Sequence, residues 1–491
     1  MPANITNVFV LMLENRSFDH MLGYSGITGT DAATGRPTAV EGPPDGVFNS
    51  YQDASYPATT GAPETMPVDP GHEFLDVLQQ LSGTTQYPAG GPYPAISNDG
   101  FVSDYAVSPT KNEGNAKDDF GAIMRCYAAD QLPVLNALAR AFAVCDHWHA
   151  AVPGPTWPNR LFACCASAAG LDHSPSAAEI LKWDTIDGFK CQHGSIFEAL
   201  NAKPGTSWKI YSGDGTPMAL ALKGVTPNDI RHMQEFADAV KLPTYPYSLT
   251  WIEPNYGDIA LGTFKGGNSQ HPLDGVTGGE ALIKQVYEAI RASPHWPTSL
   301  LILTWDEHGG FYDHVAPPAA TPPGDAIQDP AYNQYGFPFD RLGVRVPAVI
   351  VSPQIRAGTI DHRTYDHSSI PATIEAVFGL NPLTARDAAS RNVLSLLTED
   401  PPRQDAPVTL PEPAAPGAVP VSQRTPDPAE DVSQGSLPVF LHVALRHATD
   451  GMAEADKQAE LQRARNIQTR QEAANYIEDK RPDAPVPNQA G

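Results

Sequence analysis

The chain is short of basic residues. It carries 32 Lys and Arg against 56 Asp and Glu, a formal net charge of −24. That balance argues against a binder of nucleic acid, because phosphate-backbone affinity rests on clustered Lys and Arg. It also disfavours steady attachment to an anionic membrane, while zwitterionic and cationic substrates stay open. No apolar run approaches the roughly 18 residues of a membrane span, so no stable membrane insertion is expected. The run Val8 to Leu13 is too short for a signal h-region, and Met1-Pro2-Ala3-Asn4 has no basic n-region. The expected location is cytoplasmic, or secreted or periplasmic if a signal has been removed. Cysteine is scarce too. Cys126, Cys145, Cys164, Cys165 and Cys191 form no CxxC pair, so spacing gives neither a disulfide framework nor a zinc site.

What is present suffices for a large core. The 491 residues are 41% hydrophobic and 18% charged, a globular composition. Ser299 to Leu303 is an apolar run of strand length that leads into Asp306-Glu307-His308-Gly309-Gly310-Phe311-Tyr312-Asp313-His314. Residues 5–13 form a second such run, ending at Glu14-Asn15-Arg16-Ser17-Phe18-Asp19-His20. Buried parallel strands read this way, and open α/β sheets bind ligands outside the carboxyl ends of their strands. Two strand ends that both deliver hard oxygen ligands point to a metal cleft. The bland alternatives are a solvated turn at 306–307 and helix capping by Asn15 and Ser17.

Further strands are expected at 207–211, 247–253 and 344–352, the last weakened by Pro347. Helices are expected at Gly279–Ala292 and Ile370–Phe378, and helical spacing runs from Gly121 to Ala143. The strand–helix–strand order implies α/β architecture: a doubly wound, mostly parallel sheet sandwiched by helices. Residues 26–70 and 81–118 read as loops, the first holding Asp69-Pro70-Gly71-His72-Glu73 near its end. Pro153-Gly154-Pro155-Thr156-Trp157-Pro158-Asn159-Arg160 places Thr156 at the cap of a new helix. There it serves either as a plain cap or beside an anion held by the helix terminus. The catalytic domain is expected over residues 1–399. A Pro-rich linker follows over 400–436, then a C-terminal extension over 437–491 whose residues 451–479 read as one polar helix.

Four of these stretches together, at 14–20, 153–160, 306–314 and 365–368 (Tyr365-Asp366-His367-Ser368), resemble the bacterial phospholipase C/acid phosphatase phosphoesterase family. That family is related in fold to alkaline phosphatase and the sulfatases. The resemblance runs from about residue 5 to 390. It implies an alkaline phosphatase-like fold, metal dependence and phosphoester hydrolysis. By matching position it implies Glu14, Asn15, Asp306 and Glu307 around a divalent metal ion, with Ca²⁺, Mg²⁺ or Mn²⁺ suited to oxygen ligands. It implies Thr156 as nucleophile, with His72, His271 and His367 lining the phosphate pocket. Ser269 departs from the family's Asp-x-His-Pro, which leaves the local support of His271 open.

Threonine in the nucleophile's place tilts the reading toward a phospholipase C-type phosphodiesterase acting on a phospholipid or small phosphoester through a phosphothreonine. An acid phosphatase acting on monoesters is the close rival. A metal-stabilised binding protein without turnover is the alternative from another class.

Overall fold

The two all-apolar runs lie side by side at the heart of one sheet. In this computed structural model, which describes residues 4–107, 119–180, 188–259, 262–416, 429, 432 and 436–481, they are β1 (Asn7–Leu13) and β8 (Ser299–Trp305). They pair in parallel from Asn7 opposite Ser299 to Leu13 opposite Trp305, and every residue of both is buried. A strand covered on both faces has no polar side to show, so the sequence reads as a continuous apolar run.

The remaining strands of this sheet, in chain order, are β2 (Thr28–Asp31), β3 (Pro37–Ala39), β4 (Ala143–Cys145), β5 (Trp208–Ser212), β6 (Ile230–His232), β7 (Leu249–Glu253), β9 (Ala348–Val351) and β10 (Thr359–Asp361). Their spatial order is β6-β5-β7-β1-β8-β9-β4-β10-β2-β3. Pairing is parallel except around β9, which runs against both β8 and β4, and at the β2–β3 edge. The expected doubly wound, mostly parallel α/β sheet is therefore present. Pro347 stops β9 from starting as early as the apolar run suggests, since proline cannot donate to the ladder.

The helices that matter below are α1 (Phe74–Ser82), α2 (Phe101–Val107), α3 (Pro133–Ala141), α4 (Thr156–Cys165) and α5 (Val276–Arg291). Then come α6 (Ser369–Phe378), α7 (Leu437–Thr449), α8 (Glu454–Arg465) and α9 (Arg470–Lys480). Helix α5 crosses from β7 to β8 and buries Val276, Leu282, Ile283, Val286 and Ile290.

Several expectations need correction. Residues 26–70 are not plain loop: besides β2 and β3 they hold short strands at Phe48–Tyr51, Ala54–Pro57 and Thr59–Thr60. The helical spacing from Gly121 to Ala143 breaks into a 3₁₀ turn, Phe120–Met124, a short strand, Arg125–Cys126, and α3, which Pro133 opens at its first position. The stretch 81–118, expected as loop, contains α2, and residues 108–118 lie outside the described residues. Where one polar helix was expected over 451–479 there are two, because Thr469 accepts from Glu472 N and starts α9 afresh.

The tail packs closely. Helix α7 is buried along most of its length, and Arg446 donates to Leu222 O and Val225 O, both at 2.7 Å. Within the Pro-rich stretch, Tyr287 Oη donates to Pro407 O at 2.5 Å and Lys284 Nζ to Leu410 O at 2.7 Å. Residues 407–410 of that stretch are thus strapped across α5. Cys165 and Cys191 form a disulfide that sequence spacing did not reveal, while Cys126, Cys145 and Cys164 are free and buried.

Candidate active site

The carboxyl ends of β1 and β8 are pinned to each other. Asp306 N donates to Leu13 O at 3.1 Å, Arg16 N to Glu307 O at 2.9 Å, and Asn15 N to Asp306 Oδ1 at 3.0 Å. Asn15 adopts the left-handed conformation at φ 60°, which Asn tolerates better than most residues. Gly309 turns back at φ 65°, and a Cβ there would lie 2.1 Å from Asn15 O, so only glycine permits the approach.

Glu14, Asn15, Asp306 and Glu307 are all buried. Glu14 Oε2, both amide atoms of Asn15 and Glu307 Oε1 have no hydrogen-bond partner. An isolated buried polar atom costs about 1–3 kcal/mol, and several gathered at two adjoining strand ends suit a hard cation. The capping alternatives divide. The Asn15 amide caps nothing, while Ser17 Oγ accepts from His20 N at 3.2 Å in the first turn of the helical segment Asp19–Gly23 and donates to Tyr312 O at 2.7 Å.

Arg160 is the residue that sequence reasoning passed over. Its Nε donates to Asp306 Oδ2 at 2.8 Å and its Nη2 to Leu13 O at 3.2 Å. Its guanidinium also lies 3.9 Å from Glu14 and 4.0 Å from Glu253. Burial pushes the Asp306 carboxyl up to about 6, with Arg160 pulling the other way. Burial likewise raises Glu14 well above the usual carboxylate range, again opposed by Arg160. Burial alone would lower Arg160, but Tyr256, Asp306, Glu14 and Glu253 outweigh it and keep the guanidinium charged.

Arg160 sits one turn after Thr156 on α4, so both occupy the same helical face. Thr156 opens the helix but is not its cap: Pro155 holds that position and no side-chain cap bond is made. Asn159 organises the turn in front. It accepts from Val152 N at 3.1 Å and donates to Gly154 O at 2.9 Å and Pro155 O at 3.0 Å.

The histidines divide. His72 donates Nδ1–H to Pro70 O at 3.0 Å. Burial lowers its basicity, yet Glu307, Asp69, Glu73 and Asp76 overcome that and raise it to about 9. His271 stands close by, with ring centres 6.2 Å apart. Its Nδ1 accepts from Leu273 N at 3.3 Å, its Nε2 faces Asp69 at 3.7 Å, and Phe264 stacks on it at 3.5 Å. Asp69 therefore stands beside His271 although Ser269 departs from the family's acid. One atom each from Asp69, His72 and His271 lies within 4.8 Å of the others. The signal for Asp69 was its place in Asp69-Pro70-Gly71-His72. Arg16 fixes the His271 loop from below, donating to Gln270 O at 2.7 Å and His271 O at 3.2 Å.

His367 is different. Its Nδ1 accepts from Trp148 Nε1 at 3.3 Å and its Nε2 bonds Asp306 O at 2.5 Å. Both ring nitrogens are occupied within the protein, and burial lowers its basicity to about 4. It thereby holds the Asp306 backbone at the end of β8.

Asp19, Asp313 and His314 also approach one another within 4.8 Å. Arg345 fills their centre, donating to Asp19 Oδ1 and Asp313 Oδ1 at 2.9 Å each. That cluster is a satisfied ion pair, which accounts for the aspartate near the end of each motif and for His314.

Residues 5–381 match the phosphoesterase family. Non-specific phospholipase C6 of Arabidopsis thaliana is 37% identical over 465 residues, covering 87% of this chain and 78% of its own. The chain belongs to the phosphoesterase family. As a phosphoesterase it is a phosphoric ester hydrolase, which sets aside the binding protein without turnover. Non-specific phospholipase C3 of Arabidopsis thaliana is 33% identical over 439 residues, with 83% of this chain and 76% of that one covered. Non-hemolytic phospholipase C of Burkholderia pseudomallei is 27% identical over 418 residues, covering 76% of this chain and 55% of its own. No helix among the described residues is long and apolar enough to cross a membrane.

Proposed function

We propose that this phosphoesterase is a phospholipase C-type phosphodiesterase that cuts between glycerol and phosphate and passes through a phosphothreonine at Thr156. The observation that carries the reading is the hydroxyl of Thr156. It opens a helix, makes no cap bond, and shares a helical face with the arginine that grips Asp306. The relatives named phospholipase C support the choice of substrate class.

Glu14, Asn15, Asp306 and Glu307 would hold a divalent cation, since Glu14, Asn15 and Glu307 each leave a buried oxygen without a partner beside the Asp306 carboxylate. Such an ion, when bound, favours deprotonation of a nearby hydroxyl and neutralises charge on phosphate. The chain's own residues do the rest. Thr156 Oγ1 attacks phosphorus in line, and the free N–H groups at the start of α4 face the phosphoryl oxygens. His72, turned by the Nδ1–H bond to Pro70 O, presents its other ring nitrogen to protonate the leaving alkoxide. His271, backed by Asp69 and Phe264, lines the same pocket. Water then releases the phosphorylated headgroup from Thr156. The Cys165–Cys191 disulfide supports an oxidising compartment as the place of work.

One pure sample assayed on p-nitrophenylphosphorylcholine and on p-nitrophenyl phosphate tests the reading. Faster turnover of the diester is expected; preference for the monoester would favour the acid phosphatase instead. Exhaustive chelation should abolish both activities, and full activity in metal-free protein would remove Glu14, Asn15, Asp306 and Glu307 from the mechanism.

A further inference from the structure

A buried polar chain links the two halves of the candidate site, and no step proposed above uses it. Gln80 lies on α1 among the apolar side chains of Val77, Leu78 and Leu81 and is wholly buried. Its Nε2 donates to Gly71 O at 2.6 Å and to Asp104 Oδ2 at 2.8 Å. Gly71 immediately precedes His72. Two acceptors on that side fix the orientation of the amide, so its carbonyl oxygen faces His308, 2.6 Å from Nε2. The other ring nitrogen of His308 lies 3.3 Å from Glu307 Oε2, which also accepts from Gly309 N at 2.7 Å. The chain thus runs from Asp104 through Gln80 to His308, whose ring stands against the Glu307 carboxylate, with a branch to the His72 loop. Backbone geometry closes the same junction. Gly310 has φ 73°, and a Cβ there would sit 2.6 Å from Gly71 O and 3.4 Å from Gln80 Nε2.

We infer that Gln80 is a positioning residue that sets the Glu307 carboxylate and the His72 loop against each other. A glutamine on the apolar face of a short helix is costly unless all its groups are engaged, and here both ends of the amide are. Glu307 keeps one oxygen tied to Gly309 N and beside His308, while Oε1 is left without a partner. That division aims a single oxygen at the cation, as residues behind a ligand do in metal sites. The branch to Gly71 holds the turn that carries His72. The inference rests on the reading of Glu307 as a metal ligand and His72 as the acid.

The test is Mn²⁺ titration of the full chain alongside steady-state kinetics at saturating Mn²⁺. Gln80→Leu is expected to keep the wild-type circular dichroism, bind Mn²⁺ about 10–100-fold more weakly, and lose kcat more than KM. The double exchange Gln80→Glu with Asp104→Asn returns an acceptor to His308 and a donor between positions 80 and 104. It leaves Gly71 O without its donor. It should therefore recover Mn²⁺ affinity while kcat stays low. A Gln80→Leu protein with lowered Tm but wild-type Mn²⁺ affinity and kcat would show plain packing and overturn the inference. If that variant does not fold, the double exchange decides: weakened Mn²⁺ binding overturns, wild-type binding with low kcat supports. Glu307→Gln separates the two levels. If it binds Mn²⁺ like wild type, the metal reading itself fails and the inference falls with it. If it loses Mn²⁺ while Gln80→Leu does not, only the role of Gln80 falls.

Discussion

Thr156→Val is expected to lower turnover by several orders of magnitude, about 10⁴–10⁶ on the scale of other lost nucleophiles, with little change in Tm. The two halves of that expectation come from one observation. A threonine that capped α4 would cost about 0.5–2 kcal/mol when its hydroxyl was removed. Here Pro155 occupies the cap, so valine removes no cap bond and keeps the shape of a buried side chain. Turnover, in contrast, loses the atom that attacks phosphorus. Thr156→Ser keeps that oxygen and should retain part of the activity. Acid quenching of the wild type during turnover should yield a phosphorylated Thr156 peptide. A Thr156→Val enzyme with near-normal kcat would leave the hydroxyl without a catalytic part.

The central sheet was legible because its key strands are buried on both faces. Asn7–Leu13 and Ser299–Trp305 must be apolar throughout, and few other structures demand that over seven residues. The ligand-bearing ends followed from the same runs. Elements that bury little of their own surface, or that depend on partners far away in sequence, were not legible. The short strands in 48–60 pair with one another or with Arg125–Cys126, and their own residues are mostly exposed. Helix α7 was read as a short apolar run because its burial depends on Leu222 and Val225, more than 200 positions away. His367 shows the limit of a motif: it marks the residue as part of the site, but not that Trp148 and Asp306 engage both of its ring nitrogens. Arg160 was in plain view within Pro158-Asn159-Arg160. A lone arginine in a helix reads as surface until three acids are seen to converge on it.

Arg160→Met is therefore expected to have the largest effect on stability of any single exchange in the site, about 3–5 kcal/mol in metal-free protein. The reasoning is a matter of what stays behind. The guanidinium spans Asp306, Glu14 and Glu253, each nearly or fully excluded from solvent. Glu253 retains other donors, Met218 N at 2.7 Å and Tyr256 Oη at 2.6 Å, so it tolerates the loss. Asp306 keeps only the backbone amides of Asn15 and Glu307, at 3.0 and 2.7 Å. Glu14 already has one oxygen without a partner. Burial then has less to oppose it, and both acids shift further toward the protonated form. Arg160→Lys should rescue little, because one ammonium cannot meet Asp306 and Leu13 O in the forked geometry that the guanidinium provides. A divalent cation meeting the same acids should restore part of the loss. The Tm deficit of Arg160→Met is accordingly expected to shrink as Mn²⁺ is added, by mass action on the folded state. A deficit that Mn²⁺ leaves untouched would mean that Arg160 and the cation do not share Asp306 and Glu14.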